Sequence, residues 1–157
     1  MHFNNKTVWI TGASSGIGEG MAKAFNNAGA QVILSARNVE ELKRVQNSLP
    51  NVNIKSAILP MDIQKYHEAE NIVNQAIALF GKIDILVNNA GISQRSLAID
   101  TPFMDDLRII EIDLIGTIAF TKALLPHLMS HSDSQIVVIS SVMGKINTKY
   151  RTSYAAI

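Results

Sequence analysis

The chain has 157 residues, 47% hydrophobic and 17% charged, with a formal net charge of +1 and no cysteine. That size and apolar content suit one domain with a substantial core and exclude a disordered chain, while the balanced, scattered charge gives no electrostatic basis for binding nucleic acid or acidic membranes. The lack of thiols removes disulfides and thiolate metal sites, no apolar run reaches the roughly 18 residues of a membrane span, and the polar opening Met1 to Lys6 is no signal peptide, so a soluble, cytoplasmic protein is expected.

Lys6 to Ile10 is apolar and β-branched and reads as a strand. Thr11-Gly12-Ala13-Ser14-Ser15-Gly16-Ile17-Gly18 follows, then a helical pattern through Met21, Ala24, Phe25 and Ala28, closed by Gly29 as a C-cap. Strand, glycine-rich turn and helix in that order build a phosphate site. The glycines let the backbone turn tightly and approach a ligand, and the helix N-terminus offers unpaired N–H groups and a positive dipole end. The glycines are spaced three residues and then one, unlike G-x-G-x-x-G, and Glu19 stands where a P-loop needs lysine, which argues against an NTPase.

Ala30 to Ser35 reads as a second strand, residues 39–49 as a helix ended by Pro50, and Val52 to Leu59 as a third strand. A helix over residues 64–80 puts Ala69, Ile72, Val73, Ala76 and Leu79 on one face and stops at Gly81. Ile83 to Val87 is a fourth strand that runs into Asn88-Asn89-Ala90-Gly91. A long helix over residues 102–128 carries Leu107, Ile110, Leu114, Ile118 and Thr121 at helical spacing. Ser134 to Ile139 is a fifth strand, and a further helix opens at Thr152 or Ser153. Alternating strands and helices with near-continuous apolar strands specify a Rossmann-type, doubly wound parallel sheet with helices on both faces, one domain over residues 1–157. The strand order 3-2-1-4-5 leaves the fifth strand a bare apolar edge, so the chain is expected to be a fragment whose later strands are missing.

Four more stretches join the glycine turn: Asp62-Ile63 after the third strand, Asn88-Asn89-Ala90-Gly91, Ser140-Ser141-Val142-Met143-Gly144, and Ser153-Tyr154-Ala155-Ala156. Together, in this order and at these spacings, they resemble the short-chain dehydrogenase/reductase family over essentially the whole chain. The resemblance implies an oxidoreductase that moves a hydride between a nicotinamide cofactor and an alcohol or carbonyl. Gly12, Ser14, Ser15, Gly16, Ile17 and Gly18 would hold the cofactor. Asp62 would hydrogen-bond the adenine amino group and Ile63 pack on the ring, although Asp62 also reads as the N-cap of the next helix. Asn89, Ala90 and Gly91 would border the cofactor at a strand's carboxyl end, where open α/β sheets bind ligands. The second strand ends Ser35-Ala36-Arg37 with no carboxylate before Glu40, so Arg37 suits a 2′-phosphate and NADP(H) is preferred over NAD(H).

Thirteen residues separate Ser141 from Tyr154, the family's spacing for its catalytic pair. The resemblance makes Tyr154 the acid/base and Ser141 the hydrogen-bond partner of the reacting oxygen. Ser140 is the neighbouring alternative, set aside because side chains alternate along a strand. A phenol ordinarily titrates at about 10, so proton exchange near pH 7 requires about 4 kcal/mol of help from nearby positive charge. The family supplies this with a lysine four residues after the tyrosine, a position just beyond Ile157; Lys145 and Lys149 are no substitutes. Asp113 stands where the family usually carries the asparagine that holds a relay water, and it is named with the catalytic residues. Gly116 and Thr117 are expected to ease close packing against another helix.

The resemblance also implies a homodimer or homotetramer paired through the long helix and the helix at Tyr154, and a small-molecule carbonyl or alcohol substrate. The substrate cannot be read, although Ile92 to Ser96, with Arg95, would border its pocket. His2, His67, His127 and His131 lack metal spacing, so no metal is expected and His127 and His131 read as solvated helix-end residues. Two other readings remain. One is a dinucleotide-binding module without turnover, or an inactive truncated product. The other is a sugar-nucleotide epimerase or dehydratase, whose glycine turn would be spaced two and two.

Overall fold

The computed structural model describes residues 3–146 and 149–157. Parallel strands β1 (Thr7–Thr11), β2 (Gln31–Ser35), β3 (Ser56–Ile58), β4 (Ile85–Asn88) and β5 (Gln135–Val138) form one sheet in the order β3-β2-β1-β4-β5. The winding reverses between β1 and β4, so a crevice opens beyond the carboxyl ends of these two strands.

All of β1 is buried, and its alternating side chains feed two cores. Val8 and Ile10 pack with Val32, Leu34, Ile85 and Val87 beneath α1 (Gly16–Asn27) and α2 (Val39–Asn47). Trp9, Ile33 and Leu86 face the other way, toward α3 (Ala69–Phe80) and α5 (Thr117–Met129). Trp9 meets Phe120 edge-on with ring centroids 6.3 Å apart, and its Nε1 donates to Ser35 Oγ at 2.8 Å. The indole's one polar atom is thus satisfied inside the core.

Several elements differ locally from the sequence expectation. On α1 the buried row is Gly18, Ala22 and Asn26, while Ala24 is exposed. Asn26 is tolerated inside because Asn51 N donates to its Oδ1 at 2.8 Å and its Nδ2 donates to Asn51 O at 3.3 Å. The helix is capped by Ala28, and Gly29, at φ 106°, is the left-handed residue just past the cap. There Ala30 N donates to Phe25 O and Gly29 N to Asn26 O, the paired bonds of a Schellman motif. The third strand is confined to β3 because Asn51 takes the preceding residues into a turn, its Oδ1 accepting from Asn53 N and its carbonyl from Ile54 N. The next helix is divided into a 3-10 turn, Tyr66–Glu68, and α3. Asp62 is not its cap: Asp62 Oδ1 accepts from Gln64 N at 3.1 Å in an Asx turn well before α3.

The long helix is α4 (Phe103–Ile109), a π-helical segment Ile110–Gly116, and α5. The wider π turn shifts which side chains meet the sheet. The core receives Ile109, Ile112, Phe120, Leu124 and Leu128, while Leu114 and Ile118 of the expected stripe remain 40% and 48% exposed. At the other end of the sheet, His127 Nε2 accepts from Ile83 N at 3.1 Å, so His127 is a structural acceptor and not a solvated helix-end residue. α6 (Thr152–Ala156) is the last helix.

Candidate active site

Two adjoining clefts lie at the switch point. The first, about 450 Å³, runs from the glycine turn across the end of β2 and the Met61–Ile63 loop to Asn89–Ile92. The second, about 430 Å³, continues from Asn88–Ser93 to Asp113, Ser140, Ser141 and Tyr154. Ile17 and residues 89–92 line both.

The three glycines of the turn have different physical reasons. Gly12 adopts φ 66°, and a β-carbon there would stand 2.8 Å from Ala90 Cα. Gly18 has an ordinary backbone, but its β-carbon would overlap Gly12 O and lie 2.6 Å from Asn89 Nδ2. Gly16 adopts φ 56° with no atom within 4 Å of its β-carbon position. Two glycines therefore admit protein and the third faces open cleft. Ser15 is the N-cap of α1 without a side-chain cap, which leaves the first-turn N–H groups and the positive dipole end open to the cleft.

Thr11, whose individual role was not legible in the sequence, stitches β1 to the β4 loop. Its Oγ1 donates to Val87 O at 3.2 Å and accepts from the amides of Asn89 and Ala90, each at 3.0 Å. Asn89 Nδ2 returns the link by donating to Thr11 O at 3.0 Å and Gly12 O at 3.1 Å.

At the far end of the first cleft, Arg37 is exposed and, among the described residues, makes no hydrogen bond or ion pair. Met61 N donates to Ala36 O at 3.1 Å, which brings Asp62 and Ile63 to the cleft. Gly116 packs against this loop and not against another helix: its β-carbon would stand 2.5 Å from Ile63 O. Outside the turn, Arg44 pairs with Glu19, which also pairs with Lys23. Hydrogen bonds from Arg44 and then Lys23 hold the Glu19 carboxyl down at about 2. Neither Arg44 nor Glu19 stood out from the surrounding surface charges in the sequence, because their meeting depends on the packing of α1 beside α2.

In the second cleft, β5 ends at Val138, so both Ser140 and Ser141 lie beyond the strand and both line the cleft. Strand alternation therefore does not separate them. Ser141 is distinguished by its Oγ, which accepts from Met143 N at 3.2 Å and caps the 3-10 turn Val142–Gly144. Tyr154, on α6, has the Arg151 guanidinium 5.7 Å from its ring centroid, and Arg151 also donates to Ser93 Oγ. Asp113, in the π-helical segment, accepts Ile92 N at 2.8 Å through Oδ1. Burial pushes its carboxyl up from the usual range, opposed by that one hydrogen bond. Asn88 donates to Thr121 Oγ1 at 2.9 Å but leaves its Oδ1 buried without a partner, and Gln94 buries both amide atoms unpaired. Of the Ile92–Ser96 segment, Ile92 and Ser93 line the cleft, and Arg95 is exposed away from it.

Among the described residues no three histidine or carboxylate side chains form a group able to hold a metal, and no helix is long and apolar enough to cross a membrane. His2 lies outside the described residues.

A doubly wound parallel sheet, with a glycine turn opening a helix N-terminus at its switch point, defines a Rossmann-type α/β protein. The chain belongs to the short-chain dehydrogenase family, whose model matches residues 6–157. It is 42% identical over 99% of its length to a dehydrogenase/reductase SDR family protein 7-like of Anopheles gambiae, and 41% identical over 95% to the human dehydrogenase/reductase SDR family member 7. It covers 50% and 45% of those proteins, so the chain spans about half the length of the curated relatives it matches. Among solved structures, a 7α-hydroxysteroid dehydrogenase complexed with NADH and 7-oxo glycochenodeoxycholic acid superposes with a TM-score of 0.91 at 29% identity, covering 98% of this chain and 60% of its own.

Proposed function

We propose that the full protein is an NADP(H)-dependent oxidoreductase that interconverts a small-molecule alcohol and the corresponding ketone or aldehyde. The observation that carries this reading is the continuity of the two clefts through Asn89–Ile92, with Ser141, Tyr154 and Asp113 together in the second. The hydroxysteroid dehydrogenase neighbour, with a keto ligand and NADH, supports the reaction class.

The first cleft fits a dinucleotide on its own chemistry: open backbone donors at Gly16 and Ile17, an unoccupied β-carbon position at Gly16, and an exposed Arg37 that is unpaired among the described residues. The turn from Gly12 to Gly18 would hold the pyrophosphate, Arg37 the 2′-phosphate, and Asp62 and Ile63 the adenine. When bound, the nicotinamide supplies or accepts the hydride. Tyr154 gives a proton to the carbonyl oxygen in reduction and takes it back in oxidation, and Ser141 hydrogen-bonds the same oxygen. Asp113 holds the Gly91–Ile92 backbone by accepting the Ile92 N–H. The exposed Leu114 and Ile118 on the long helix support pairing with a second copy.

The test is titration of the full-length protein and its Arg37→Ala variant with NADPH and NADH, followed by a carbonyl panel with Tyr154→Phe. Tight NADPH binding that Arg37→Ala weakens, with carbonyl reduction lost in Tyr154→Phe, is the expected result. Binding of neither nucleotide refutes the reading, and binding without turnover across the panel favours a non-catalytic dinucleotide module.

A further inference from the structure

Arg44 does not line the cofactor cleft, yet it touches elements that border both ends of it. Its Nη1 and Nη2 reach the two carboxylate oxygens of Glu19 on α1 at 3.1 and 2.7 Å. Nη2 also donates to the Ser14 carbonyl at 3.2 Å, and Nε donates to Glu41 on its own helix at 2.7 Å. Ser14 is part of the glycine-rich turn and lines the cleft. Arg44 rides on α2, which begins directly after Arg37 and Asn38 at the cleft's other end. Asn38 Oδ1 fixes that beginning by accepting Glu41 N at 3.1 Å.

One planar guanidinium therefore ties the turn to the helix that follows Arg37. Four of its five N–H donors are committed to two carboxylates and a carbonyl, and it lies outside the residues that line the cleft. Lys23 on Glu19 completes a cluster in which two cations balance two carboxylates. Exposed ion pairs of this kind contribute little to global stability, but a bidentate fork fixes geometry. A turn with glycines at positions 12, 16 and 18 has the most conformational freedom to lose on binding, and an external tie reduces that cost.

We propose, on the reading of the first cleft as a dinucleotide site, that Arg44 is a positioning residue: held by Glu19, it keeps the glycine-rich turn in register with α2 without touching the cofactor. Because the turn serves the pyrophosphate common to NADPH and NADH, the effect on the two cofactors is equal. Arg37, by contrast, acts on NADPH alone.

The experiment measures NADPH and NADH dissociation constants, and KM and kcat, for the full-length protein and for Arg44→Met, Glu19→Gln and Arg37→Ala. Arg44→Met is expected to weaken both cofactors by about five- to tenfold, the size of one ordinary hydrogen bond, with their affinity ratio unchanged and the effect in KM rather than kcat. Glu19→Gln, which retains Arg44, is expected to weaken both in the same ratio by a smaller factor and guards against misfolding of the first variant. Loss of NADPH affinity alone in Arg44→Met would make Arg44 a direct phosphate ligand and overturn the proposal, as would unchanged affinity for both. Failure of the unmutated protein to bind either cofactor overturns the dinucleotide reading itself, and the positioning role with it.

Discussion

Gly18 leaves no room for a β-carbon beneath the carbonyl of Gly12: such an atom would overlap Gly12 O and stand 2.6 Å from Asn89 Nδ2. The first turn of α1 is thereby pressed onto the end of β1. Gly18→Ala must displace backbone and is expected to cost about 1–3 kcal/mol by overpacking, with loss of dinucleotide binding. Gly16→Ala meets no neighbour and carries only its left-handed backbone, about 1 kcal/mol. Urea denaturation of both variants should rank Gly18→Ala as the more destabilised.

Thr11 Oγ1 serves three backbone groups at once, the amides of Asn89 and Ala90 and the carbonyl of Val87. Thr11→Val keeps the shape and strands them, at an expected cost of about 2–4 kcal/mol. Thr11→Ser keeps the hydroxyl and should recover most of that loss in the denaturation midpoint.

Asp113 adds a titratable group to the second cleft. Burial raises its carboxyl, outweighing the donation from Ile92 N, so the folded protein holds this proton more tightly than the unfolded chain. Its contribution to stability is then full below the unfolded value near 3.8 and is lost as pH rises through the raised folded value. Asp113→Asn retains an oxygen for Ile92 N and cannot ionise. Thermal melts across pH should show the variant gaining on the unmutated protein as pH rises from 4 toward neutrality, with no such trend if the carboxyl is unperturbed.

His127 follows the opposite sign. Burial lowers its basicity, with the charges of His131 and Lys82 adding and Asp84 opposing. The neutral ring accepts from Ile83 N, so stability is full above the ordinary value of 6.5 and is lost as pH falls through the lowered folded value. His127→Gln offers Ile83 a non-titrating acceptor. The stability difference between His127→Gln and the unmutated protein should therefore move in the variant's favour between about pH 7 and pH 5.

The strand-helix alternation, the strand order and the glycine turn were legible in the sequence because they rest on local chemistry: apolar strands buried on both faces, and glycines where a strand turns into a helix. Of the residues that line the two clefts, the glycine turn, Arg37 and Asn89–Gly91 follow strand ends that the pattern already marks, whereas Asp113 and Tyr154, on helices, were named only through the resemblance to the family. What depended on the detailed path of the backbone, or on contacts between distant segments, was not. The Asx turn at Asp62 displaced the expected cap, the π-helical turn moved the core row to Ile109, Ile112 and Phe120, and the Gly116 gap was filled by Ile63 from a loop. Which of the chain's basic residues is free and which is tied is a matter of tertiary structure alone. Arg37 and Arg44 belong to one stretch of chain, Arg37 just before the cap of α2 and Arg44 in its last turn. Glu41 reaches Arg44 from one turn away on the same helix, but only the placing of α1 beside α2 brings Glu19 to it, while Arg37 is left at the cleft, because an ion pair between distant segments exists only once folding brings the charges together.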